Sequence, residues 1–74
     1  MEDKILEIVN AIRGAKELAV LNELKPEFNL REDVGFTSFD LAELTVRIED
    51  EYGIDIFEDG LVNTIGDIYA KLQK

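Results

Sequence analysis

Two copies of one short pattern, Thr37-Ser38-Phe39-Asp40 and Thr64-Ile65-Gly66-Asp67, constrain this chain more than any other feature. Each is a Thr-x-x-Asp form of the capping box, in which hydroxyl and carboxylate reciprocally satisfy backbone N–H groups at a helix start. Behind the first stand Leu41, Leu44, Ile48 and Tyr52, and the helix is predicted to run to about Tyr52, before Gly53. Within and behind the second, Ile65, Ile68, Tyr69 and Leu72 repeat at helical spacing. Ile5, Ile8, Val9 and Ile12 mark one face of a further helix, predicted from about Glu2 to Arg13, with Gly14 as its stop.

The connections are less regular. Ile54 to Val62 alternates at first like a strand, but a lone strand has no partner here, so a loop leading into a short helix near Phe57–Leu61 is predicted. Lys16 to Leu24 reads as an extension or restart of helix, with Leu18, Leu21 and Leu24 on one side. Pro26 ends anything helical there, because the residue before a proline is pushed out of the α region. Phe28 and Leu30 then serve as apolar anchors for a long connection, and connections of that length in small domains are more often functional than accidental. The expected fold is all-α: a small four-helix bundle, three main helices plus one short helix, with a long first loop, forming a single domain over residues 1–74.

Composition removes several chemistries. The 74 residues contain no cysteine and no histidine, which excludes disulfides, thiolate nucleophiles, imidazole triads and the common zinc sites. No apolar run approaches the roughly 20 residues of a membrane span, and the first residues lack the plan of a signal peptide, so a cytoplasmic location is expected. The net charge of −9 argues against nucleic acid as a partner. That charge is localised: Glu32 to Ala70 carries eleven acids against the single base Arg47, while the rest carries six acids and seven bases. Such a surface either is simply solvated or steers toward basic partners.

The helix after Thr37 has two apolar stripes where docking needs one. At roughly 100° per residue, with Phe39 at zero, Leu41, Leu44, Ile48 and Tyr52 fall between about 140° and 220°. Phe39, Ala42 and Val46 fall between about 300° and 0°, with Glu43, Glu49 and Asp50 beside them. The longer stripe is the core candidate. The shorter one has the layout of an apolar contact patch with a charged rim, unless a small core wraps round the helix and buries both. Ser38 stands at the helix start. On spacing alone a serine there serves as the helix cap. Thr37 can fill the cap instead, with Asp40 as its reciprocal partner, which would leave the Ser38 hydroxyl free; a phosphate there would face unpaired N–H groups and the positive end of the helix dipole. No base in the chain activates that hydroxyl, so chemistry on it belongs to another protein.

The run Asp33-Val34-Gly35-Phe36-Thr37-Ser38-Phe39-Asp40-Leu41-Ala42-Glu43-Leu44 resembles the acyl carrier protein signature. The resemblance continues through Ile48-Glu49-Asp50-Glu51-Tyr52-Gly53-Ile54-Asp55-Ile56 and Thr64-Ile65-Gly66-Asp67-Ile68, and covers about Asp33 to Leu72. It implies that a phosphopantetheinyl transferase, using magnesium and coenzyme A, joins 4′-phosphopantetheine to Ser38 through a phosphodiester. It implies further that the arm's thiol carries acyl groups as thioesters, supplying the sulfur this chain lacks. The same resemblance makes the helix after Ser38 the recognition helix. Phe39, Ala42 and Val46 are then its apolar contacts, and Asp40, Glu43, Glu49 and Asp50 its acids, meeting basic docking patches on acyl-loading and acyl-processing enzymes. A monomer without catalytic residues of its own is expected.

There are departures from the family pattern. Thr37 replaces the usual aspartate and Phe39 the usual leucine, which bears on which transferase loads the chain. Phe57 stands where many members have proline, and Arg47 puts a positive charge on an acidic helix; together these point to a specialised carrier. Other readings fare worse. A calcium loop starting at Asp55 would place Phe57 and Gly66 at ligand positions that need oxygen donors. A catalytic pair such as Asp55 with Asp59 has little room for a water-excluded pocket in so small a domain. A peptidyl or D-alanyl carrier, and a docking subunit that keeps the fold without an arm, stay open.

Overall fold

The computed structural model describes residues 2–73, and its regular elements are three helices: α1 (Glu2–Ala15), α2 (Ser38–Tyr52) and α3 (Ile65–Leu72). Among the described residues there is no strand, only an isolated antiparallel bridge between Asn29 and Thr64.

Helix α1 opens on Glu2 and Asp3 and closes on Arg13, the charge order that the helix dipole favours. It buries Ile5, Ile8, Val9 and Ile12 as the periodicity predicts. Gly14, predicted as the stop, lies inside the helix instead. A glycine in a helix costs only about 1 kcal/mol, and the actual stop comes later. Glu17 adopts φ 61°, its N–H donates to the Gly14 carbonyl at 3.0 Å, and the Leu18 N–H donates to the Arg13 carbonyl at 2.9 Å. This is a Schellman closure with glutamate at the left-handed position where glycine is usual.

That closure also overturns the helix considered for Lys16 to Leu24: residues 18–25 contain no helix. Side chains of α1 hold this segment. The Asn10 amide donates to the Leu21 carbonyl and accepts from the Leu21 N–H, both at 2.9 Å, as a neighbouring strand would. Arg13 donates to the Ala19 carbonyl at 3.0 Å and also to the Val34 carbonyl. Farther along, Leu30, Val34 and Phe36 are buried in the core, while Phe28 packs against its margin.

The loop then covers the start of α3. The Leu30 N–H donates to the Asn63 carbonyl at 2.8 Å, Ile65 N–H to Phe28 at 3.0 Å and Gly66 N–H to Pro26 at 2.8 Å. A Cβ on Gly66 would sit 3.1 Å from the Pro26 carbonyl oxygen, so glycine permits this close approach. Two of the N–H groups that a helix start leaves unpaired are thereby used.

The short helix predicted near Phe57–Leu61 is absent; residues 56–59 are turns. Asp55 is the reason. Its carboxylate accepts from the Phe57 N–H at 3.0 Å and its carbonyl from the Glu58 N–H at 3.2 Å, and such local bonds compete with helix formation. Ile56 pins these turns to the core, fully buried. On α2, Leu41, Leu44 and Ile48 are buried against the same core, with Tyr52 at its edge. The longer stripe is the core stripe.

Candidate functional site

Two hydroxyls stand side by side at the start of α2, and the fold treats them differently. The Thr37 hydroxyl is the cap: it accepts from the Asp40 N–H at 3.2 Å and donates to the Asp40 carboxylate at 3.0 Å. The same carboxylate accepts from the Thr37 N–H at 2.9 Å, completing the capping box. Ser38, the only serine in the chain, is therefore the first helical residue and not the cap. Its residue is exposed, and its Oγ accepts from the Arg31 guanidinium at 3.0 Å.

The α2 start is also open where the α3 start is covered. Among the described residues, the N–H groups of Ser38 and Phe39 donate to no protein acceptor, whereas those of Ile65 and Gly66 are taken by the loop. Backbone donors and the positive end of the α2 dipole thus converge beside an exposed hydroxyl, an arrangement suited to a phosphoryl group.

The second stripe is on the outside. Phe39 is 80% exposed and Val46 57%, and Ala42 is exposed between them. Glu49 and Asp50 are exposed beside it; Glu43 is half-buried and engaged, accepting from Arg47 at 2.9 and 3.0 Å. Arg47 therefore neutralises part of the acidic rim.

Asp40 does not belong to that rim. Its residue is only 7% exposed, and its carboxylate is ion-paired with Lys16 at 2.5 Å besides serving the capping box. The expectation that it stands ready to meet a partner's basic residue is corrected here. The bond from Lys16, then the Thr37 backbone N–H, hold the Asp40 carboxyl below its usual pKa of 3.8. The family resemblance placed Asp40 among the acids, but Lys16, 24 residues earlier, holds it inward.

Arg31 was not among the predicted site residues. Its sequence neighbourhood carried no signal for it, because its relation to Ser38 is made by a turn. The Asn29 side chain accepts from the N–H groups of Arg31 and Glu32 at 2.9 and 3.0 Å, and the Asn29 N–H donates to Asp33 at 2.7 Å.

Comparison with known proteins fits this geometry. The family model described as "Phosphopantetheine attachment site" matches residues 3–72. The chain belongs to the phosphopantetheine attachment-site family. The meromycolate extension acyl carrier protein of Mycobacterium bovis is 32% identical over 72 residues, covering 95% of this chain and 59% of that protein. Its counterpart from Mycolicibacterium aurum is 31% identical over 72 residues, covering 95% and 70%. An acyl carrier protein of Nitratidesulfovibrio vulgaris is 39% identical over 59 residues, covering 80% and 72%. The chain thus spans less than two thirds of the length of the first of these relatives. No solved structure matches significantly.

The residues at the α2 start fit the group for which this attachment-site family is named. An exposed serine hydroxyl, two N–H groups without protein acceptors and a guanidinium within hydrogen-bonding distance form a donor set suited to a phosphodiester. When bound, 4′-phosphopantetheine supplies a terminal thiol that can form thioesters. No helix among the described residues is long and apolar enough to cross a membrane.

Proposed function

We propose that this chain is an acyl carrier protein in which Ser38 bears 4′-phosphopantetheine and presents acyl thioesters to enzymes of fatty-acid or related lipid or polyketide synthesis. The observation that supports this most directly is the division of labour at the α2 start. Thr37 carries the capping box, leaving Ser38 exposed and bonded only from Arg31. The chain's own role is to hold that hydroxyl out at the end of an acidic helix for a transferase to reach. It performs no catalysis itself. It acts as a monomeric, cytoplasmic all-α carrier.

The partner surface in this reading is the outer stripe of Phe39, Ala42 and Val46 with Glu43, Glu49 and Asp50 around it. Exposure of Phe39 and Val46 supports that role, since large apolar side chains in the open on one helix face serve contacts better than folding. The acids would meet Lys and Arg on partner enzymes. The names of the relatives, all acyl carriers, favour acyl cargo over the peptidyl or D-alanyl alternatives.

The test is intact mass after incubation with coenzyme A, magnesium and a broad-specificity phosphopantetheinyl transferase. The wild type is expected to gain one phosphopantetheine and Ser38→Ala none. A gain that persists in Ser38→Ala refutes the site, and no gain with several transferases favours an unmodified docking subunit.

A further inference from the structure

We propose that Arg31 grips the phosphodiester once the prosthetic group is attached to Ser38, pinning the base of the arm beside the start of α2. The proposal rests on the reading of Ser38 as the attachment point and adds a positioning residue to it.

Three observations carry it. The Arg31 guanidinium lies 3.0 Å from Ser38 Oγ, the atom through which the phosphorus would be attached. The charge is otherwise unspent: among the described residues Arg31 forms no ion pair, although Glu32 and Asp33 follow it directly. Finally, the residue sits on a braced turn. Leu30 just before it is buried and bonded to Asn63, Asn29 holds the Arg31 N–H, and the Phe36 N–H returns to the Leu30 carbonyl at 2.9 Å.

The chemistry follows from what replaces the hydroxyl proton. A neutral oxygen is a modest acceptor for a guanidinium, whereas a phosphodiester brings two non-bridging oxygens sharing a full negative charge to the same place. The planar fork of arginine matches that pair and stays charged at all physiological pH. Because the turn is already fixed, little further ordering is needed when the group arrives. In a protein of net charge −9, a cation kept at this one spot also offsets repulsion between the new anion and the acidic surface.

The experiment uses phosphorus NMR and arginine side-chain correlation spectra of the fully loaded protein, with loading verified by intact mass. The wild type is compared with Arg31→Gln and Arg31→Lys, whose melting temperatures are expected to match it because the side chain is exposed. Four results are expected. The phosphorus resonance is displaced in Arg31→Gln. High salt moves the wild-type resonance toward that of the variant. The Arg31 Nε–Hε cross-peak shifts between unloaded and loaded wild type. The phosphorus resonance of Arg31→Lys falls between those of wild type and Arg31→Gln, because lysine has the charge without the fork. Identical phosphorus resonances in loaded wild type and Arg31→Gln, with an unmoved cross-peak, overturn the grip while leaving Ser38 as the attachment point. Unchanged spectra with slower loading of Arg31→Gln would assign the arginine to the transferase and likewise overturn it. A wild type that gains no mass removes the attachment reading, and this proposal with it.

Discussion

Lys16 just past the end of α1 and Asp40 in the first turn of α2, 24 positions apart in the chain, are joined by an ion pair of 2.5 Å. The same carboxylate completes the capping box, and the same ammonium donates to the Gly35 carbonyl at 3.0 Å. One acid thus ties the helix that carries Ser38 to the helix that anchors the core.

Replacing that acid tests the link. Asp40→Asn keeps the shape and removes the charge, and is expected to destabilise the fold by about 1–2 kcal/mol at neutral pH. The pKa of Asp40 is lowered from 3.8 by folding, so its contribution is complete above that value and is lost as the pH falls through the lower folded value. Denaturant unfolding of both proteins should therefore show a gap at neutral pH that closes well below pH 3.8. A constant gap would place the effect in shape instead of charge.

Glu17 is the one described non-glycine residue with positive φ, at 61°. A Cβ in the left-handed region costs roughly 1–2 kcal/mol, so Glu17→Gly is expected to raise stability by about 1 kcal/mol after the greater freedom of the unfolded glycine is offset. Glu17→Ala removes the charge but keeps the Cβ, and should change little. Thermal or denaturant unfolding separates the two, and equal gains would credit the charge.

The two faces of α2 make opposite predictions. Leu44 is fully buried, and Leu44→Ala is expected to cost about 2–5 kcal/mol. Val46, two residues on, is 57% exposed, and Val46→Asp should change stability by no more than about 1 kcal/mol while weakening binding to a partner enzyme. Calorimetry of unfolding beside titration against the partner checks both. A large loss of stability in Val46→Asp would mean the outer stripe packs in the fold.

Arg47 holds the Glu43 carboxylate at 2.9 Å on the exposed side of α2. Exposed i,i+4 pairs are worth only about 0.3–0.5 kcal/mol, so Arg47→Gln is expected to leave the fold nearly as stable. It uncovers an acid on the rim, and association with a basic partner should quicken by a factor of roughly 2–5 at low ionic strength, less at high salt. Stopped-flow association rates measure this; an unchanged rate would remove electrostatic steering from the recognition helix.

What the sequence conveyed, it conveyed through local signals. The apolar period of 3.6 and the two Thr-x-x-Asp boxes located α2 and α3, and Thr37 and Thr64 cap them as expected. Spacing alone left Ser38 or Thr37 as the cap of α2; the resemblance pointed to Ser38 as the attachment residue, and the structure gives the cap to Thr37. The misses have two kinds of cause, local bonds that displaced the expected start or stop and contacts made across the fold. Gly14 carries the usual stop signal, but the Schellman closure formed at Glu17. Asp55 captured the Phe57 N–H and left turns where a short helix was expected. Asp40 was drawn inward by Lys16, and Arg31 reached Ser38 through a turn organised by Asn29. Val34 and Phe36 joined the core from a loop without regular period, where no spacing rule marks a buried residue.

Fragmentation mass spectrometry of the enzymatically loaded protein decides most directly whether the division between Thr37 and Ser38 sets the chemistry. The phosphopantetheine mass is expected on Ser38 alone, with Thr37 unmodified. The same mass on Thr37, or an unmodified Ser38 after treatment with several transferases, would contradict it.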